Sequence, residues 1–125
     1  MGITYDAGAL LAAEASRREI WAIHARSLQR GERPVVPAGV LGQVWRGGPQ
    51  AQLSRLSRGC RIENLDERRA RSAGVACARA ASRDVVGASV VAGALARGDL
   101  IVTSDPDDLK AIGGAVGGLL RLHRI

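Results

Sequence analysis

The chain has 125 residues, 46% of them apolar, with no phenylalanine, one tyrosine and two tryptophans. That is enough for one domain with an aliphatic core, and too little aromatic surface for a base-stacking platform on single-stranded nucleic acid. The formal charge of +6 comes almost wholly from arginine, Lys110 being the only lysine, and favours phosphate-bearing or acidic partners.

Residues 2–5 read as a short buried strand and 7–13 as a small Ala/Leu-rich helix. Residues 17–30 carry Ile20, Ile23, Ser27 and Leu28 at helical spacing, with Trp21 and Ala25 nearby. Arg17, Arg18, Arg26 and Arg30 take the other face, and Gly31 suits the stop. A second strand over 33–36 leads to Pro37 as a helix start and a helix over 38–46, broken by Gly47-Gly48-Pro49. A short helix over 50–57 and a third strand over 59–65 follow. Asp66 is a good N-cap for a helix to about Ala81, with Glu67 in its first turn.

Ser82-Arg83-Asp84 is a second capping region, ahead of an Ala/Val-rich helix over 85–96 that looks buried on most sides and ends at Gly98. Residues 100–103 form a fourth strand, 107–112 a short helix, and 119–122 a last strand after a glycine-rich turn. Strands alternating with helices predict a parallel α/β sandwich, and no repeat or linker divides residues 1–125. Cys60 and Cys77 lack metal-site spacing and read as reduced structural thiols. There is no signal-like start and no apolar run of bilayer length, so the expectation is a soluble cytoplasmic protein away from membranes.

The first and fourth strands each lead to an aspartate, Asp6 and Asp105. As parallel neighbours they would bring both acids to one carboxyl edge, where open α/β sheets place ligands. Two carboxylates 4 Å apart repel by roughly 4 kcal/mol at an effective dielectric near 20, and a divalent cation relieves them. Each alone also reads as a helix cap, Asp105 with Pro106 at the first helical position. Their matching places favour the metal. Thr103 and Ser104 are candidates for contacting phosphate or for a solvated strand end, and Arg46 for a phosphate contact or a plain surface arginine. Asp84 suits a cap better than a ligand. His24 and His123 have no acidic partner nearby and read as surface histidines, and Asp66-Glu67-Arg68-Arg69 as a solvated helix start.

Four blocks, in this order and spacing, resemble the PIN-domain family, and more closely the VapC-like ribonuclease toxins of VapBC toxin–antitoxin pairs. They are Ile3-Thr4-Tyr5-Asp6-Ala7-Gly8-Ala9-Leu10; Val36-Pro37-Ala38-Gly39-Val40-Leu41-Gly42-Gln43-Val44-Trp45-Arg46; Asp84-Val85-Val86-Gly87-Ala88-Ser89-Val90-Val91; and Val102-Thr103-Ser104-Asp105-Pro106-Asp107-Asp108-Leu109. The resemblance implies one PIN-like α/β/α sandwich with a mainly parallel sheet of four or five strands. It implies an endoribonuclease that holds Mg²⁺ or Mn²⁺ with carboxylates, because hard cations take oxygen ligands and activate water against a phosphodiester. The family's first acid falls on Asp6 and its last main acid on Asp105, with Asp107 or Asp108 as a peripheral ligand.

Two family acids are missing: Gln43 stands for a glutamate and Gly87 for an aspartate. An amide oxygen still offers a neutral donor, whereas glycine offers none and costs up to about 1 kcal/mol against alanine in a helix. Asp6 and Asp105 alone balance one divalent ion, so weak or single-metal binding is expected, with Gly87 an inactivating change. The competing expectation is a degenerate PIN domain acting as an antitoxin- or RNA-binding module. The resemblance further implies a homodimer, an RNA substrate and a VapB-like antitoxin in a groove between neighbouring helices. Leu10, Leu11, Ile20, Trp21 and Ile23 belong either to that groove or to the core.

Overall fold

The computed structural model describes residues 2–125 and contains five strands, β1 Ile3–Tyr5, β2 Val35–Pro37, β3 Arg61–Glu63, β4 Leu100–Thr103 and β5 Arg121–Arg124. Seven helices connect them: α1 Ala7–Glu14, α2 Arg18–Gln29, α3 Ala38–Val44, α4 Ala51–Arg58, α5 Glu67–Ala80, α6 Val85–Arg97 and α7 Pro106–Ala115. The sheet runs β3-β2-β1-β4-β5, and every pairing in it is parallel. It is therefore the α/β/α sandwich expected, with five strands and no antiparallel member. On one side α1 packs on α2, α3 and α4; on the other α5, α6 and α7 pack on one another.

β1 and β4 are continuous apolar runs because helices cover both faces of a parallel sheet. Tyr5, Ile101 and Val102 are fully buried, as are Leu10, Ile20, Val36, Val40, Leu53, Leu56, Val90 and Val91 from the surrounding elements. The edge strands differ. Arg61 and Ile62 of β3 and Arg121 and Arg124 of β5 are exposed, and charge at an open edge discourages strand addition.

Element boundaries shift in three informative places. Pro37 closes β2 in extended conformation (φ −60°, ψ 137°) instead of opening α3. α7 runs on through Gly113 and Gly114, whose positions remain helical, and turns only at Gly117 (φ 72°). β5 accordingly starts two residues later than expected, at Arg121, paired with Leu100. Gly98 ends α6 with φ 73°, a left-handed conformation that favours glycine.

His24 is not a surface residue: it is 4% exposed, and its Nδ1 shares a 3.0 Å hydrogen bond with Tyr5 Oη. The arginine-rich face of α2 is turned away from it, and Trp21 meets its ring edge-on. His123 does have an acidic neighbour, Glu19 Oε1 at 3.4 Å, brought from the far end of the sequence. Cys60 and Cys77 are both free and buried. Burial pushes the Cys60 thiol up to about 12, which keeps it protonated and unreactive.

A charged network ties the sheet to α6. Asp99 Oδ2 accepts from Thr4 Oγ1 at 2.7 Å and from Arg97 Nε at 2.8 Å, and Arg97 Nη2 donates to Thr4 Oγ1 at 3.0 Å. Arg97 Nη1 also donates to Glu63 at the end of β3. Asp99 is only 5% exposed at its side chain, so removing its cation leaves a buried charge. Arg97→Ala should cost on the order of 3 kcal/mol, the low end for a broken buried pair because Arg97 retains 20% exposure; chemical denaturation measures it.

His24 adds a pH dependence. Burial first, then the Arg55 charge, lowers its pKa below the usual 6.5. The unfolded chain then binds this proton more readily than the folded one. The stabilising contribution is complete above pH 6.5 and is lost as pH falls from there through the folded value. Thermal melts between pH 8 and 5 should show a downward step that His24→Gln removes.

Candidate metal centre at the sheet switch point

From β1 the chain steps outward to β2 and β3, then returns to the far side of β1 for β4 and steps outward again to β5. The order reverses between β1 and β4, and the crevice beyond the carboxyl ends of such strands is where open α/β sheets bind ligands. Tyr5 pairs with Val102, and Asp6 N donates to Val102 O at 3.0 Å. Asp6 and Asp105 therefore leave the sheet side by side.

The crevice is a cavity of about 240 Å³ lined by Asp6, Ala7, Gly8, Gln43, Asp84, Gly87, Ser104, Asp105, Asp108 and Leu109. Four aspartates face it where the sequence accounts for two with one peripheral. A larger hollow of about 800 Å³ lies between α5 and α6, lined by Arg68, Arg69, Arg71 and Arg79 over an aliphatic floor. Volume favours that hollow, but the convergence of carboxylates marks the smaller one as the chemical centre.

Helix capping separates the four aspartates that occupy N-cap positions. Asp66 Oδ1 accepts from Arg69 N at 2.8 Å and Asp84 Oδ1 from Gly87 N at 2.8 Å. Asp6 and Asp105 hold the same position on α1 and α7 and make no side-chain capping bond. The ordinary cap reading thus holds for Asp66 and Asp84 and fails for the two strand-end acids.

Thr103 is fully buried beneath them. Its hydroxyl donates to Asp6 Oδ2 at 2.9 Å and accepts from Asp105 N at 3.0 Å. It is a clip between the two acids, out of reach of a ligand, while the exposed Ser104 lines the cavity. Gly8, to which the sequence alone assigns no role, makes the arrangement possible. A Cβ there would lie 2.5 Å from Ser104 Cβ and 2.8 Å from its backbone nitrogen, so only glycine lets α1 approach the turn after β4.

Gln43 lies on α3 and lines the cavity. Arg46 does not: its guanidinium folds back on the carbonyls of Gln43 at 2.7 Å and Trp45 at 2.8 Å. Asp107 stays outside, while Asp108 joins the cavity from the first turn of α7. The Asp108 carboxyl holds its proton above the usual carboxylate range, chiefly through a hydrogen bond to Asp105, then through the Asp105 charge, burial, and the charges of Asp84 and Asp107.

No three His, Cys, Asp or Glu side chains among the described residues converge closely enough to enclose a metal ion as they stand. The donor chemistry nevertheless fits a hard divalent cation. Every donor that the cavity offers is oxygen, and the carboxylates of Asp6 and Asp105 are not committed to capping the backbone.

No protein-family model matches the sequence, and no curated protein matches it. Among solved structures, a chain of VapBC2 from Rickettsia felis, crystallised bound to a DNA fragment from their promoter, is similar over 100% of this chain and 99% of its own. The TM-score is 0.73 at 12% identity. At that identity the likeness is one of fold, and the fold is the PIN-like sandwich.

Thr103→Val preserves shape and removes both bonds of the clip. Leaving Asp6 and the Asp105 amide without this partner should cost about 1–3 kcal/mol, measured by denaturant unfolding against wild type.

Proposed function

We propose that this chain is a VapC-like PIN-domain ribonuclease that cleaves RNA phosphodiester bonds with the help of Mg²⁺ or Mn²⁺ and is restrained by a VapB-like antitoxin. The observation that most supports this reading is that Asp6 and Asp105 hold helix N-cap positions, cap nothing and line one cavity. Such carboxylates are costly neighbours unless a cation joins them.

When bound, the cation supplies Lewis-acid stabilisation of phosphate charge and makes water acidic enough to attack. The chain's own part is positional. Asp6 and Asp105 are the principal ligands, and Thr103 holds the Asp6 carboxylate in one orientation. Gln43 offers a neutral amide oxygen, Asp108 a further carboxylate at the rim, and Ser104 a hydroxyl for a phosphate oxygen. The net charge of +6 draws an RNA backbone towards a crevice that is itself acidic.

The partner surface divides residues that the sequence leaves together. Leu10, Ile20 and Ile23 serve the core. Leu11 is 55% exposed and Leu28 43%, and Trp21 is half-buried with the Arg55 guanidinium 4.1 Å over its ring. This outer face of α1 and α2 suits the apolar side of an antitoxin segment. Pairing into a homodimer belongs to the same proposal. No helix among the described residues is long and apolar enough to cross a membrane.

A second reading has its own support. Gly87 is buried and brings no side chain where the family's third acid belongs, which suits a degenerate domain that binds antitoxin or RNA without cutting. Incubation with RNA and Mn²⁺ distinguishes the two. A nuclease should cleave, stop on chelation, and lose on the order of a hundredfold in Asp6→Asn or Asp105→Asn. No cleavage by either wild type or Gly87→Asp, both folded, would favour the binding module.

A further inference from the structure

We infer that Asp84 supplies the carboxylate missing at position 87, reaching the cavity through the space that glycine leaves open. This rests on the reading of the cavity as a cation site and gives a ligand role to a residue that the sequence alone presents as a helix cap.

Gly87 is buried in the first turn of α6. A Cβ built on it would lie 2.2 Å from Asp84 Oδ2 and 2.8 Å from Asp84 Cγ, far inside any contact that carbon tolerates. The Asp84 carboxylate thus occupies the volume of the side chain that position 87 lacks. Its Oδ1 caps the Gly87 amide at 2.8 Å, and its backbone is fixed by an Asp84 N bond to Ser82 Oγ at 3.0 Å. Asp84 lines the same cavity as Asp6, Asp105 and Asp108.

Capping alone does not demand this geometry. Asp66 caps α5 in the same way, three residues ahead of the amide it accepts from, and that amide belongs to Arg69, which carries a full side chain. A glycine at the third helical position is therefore no requirement of the cap. It is required for the Asp84 carboxylate to lie over position 87, on the wall of the cavity that the acids at the ends of β1 and β4 also line. Position 87 has lost a ligand, and position 84 has gained access to its place. Asp84 and Gly87 act as a pair.

Mn²⁺ titration of the full chain, followed by the electron paramagnetic resonance of free Mn²⁺, tests this without reference to cleavage. Gly87→Ala leaves every carboxylate in the protein and improves helix propensity, yet its methyl group displaces Asp84. It should weaken Mn²⁺ binding on the order of tenfold while melting close to wild type, the gain in helix propensity offsetting the weakened Asp84 cap. Asp84→Asn keeps a good N-cap and should weaken binding similarly, and the double variant should be no weaker than either single one. Wild-type affinity in folded Asp84→Asn, with Asp6→Asn defective, would overturn the inference and leave the site standing. Equal Mn²⁺ affinity in wild type and Asp6→Asn would overturn the site and the inference together.

Discussion

The parallel pairing of β1 with β4 is the constraint on which the remainder depends. Its register sets Tyr5 opposite Val102, so two segments almost a hundred residues apart end at the same level. The loop amides and the Thr103 hydroxyl convert that shared level into shared orientation. A slip of one residue in this pairing would turn the strand side chains to the opposite face. Thr103 would then lie away from Asp6, and Gly8 away from Ser104.

Most of the fold was legible because its signals are local. Aliphatic strands, polar helix faces and capping residues recur in an order that permits little besides a parallel sandwich, and β4 spans the 100–103 that its apolar run predicts. What the sequence does not display depends on information that is not local. His24 sits in an arginine-rich helix, and only the placement of Tyr5 across the core makes it internal. Consecutive glycines signal a turn and predict too early a start for the last strand, whereas Gly113 packs tightly against Leu120 and stays in the helix.

The site was half legible for the same reason. Asp6 and Asp105 stand at strand ends, which a sequence displays. That they decline to cap is a matter of side-chain direction, which it does not. Asp84 read as a cap and is one, but the second thing its carboxylate does depends on an empty volume three residues on. Gly8 stands two residues after the strand-end acid, in the first turn of α1, yet nothing in the sequence identifies Ser104 as what it approaches.

The arginines on β3 and β5 bear on how copies of this molecule can meet. Arg121 and Arg124 make the β5 border of the sheet cationic, whereas on the β3 border Arg61 is offset by Glu63. Joining two molecules through their β5 borders into a continuous ten-stranded sheet would press guanidinium against guanidinium along the seam. A contact through the helical flanks would avoid that seam, and one that leaves α1 and α7 uncovered would also leave the crevice at the strand ends open.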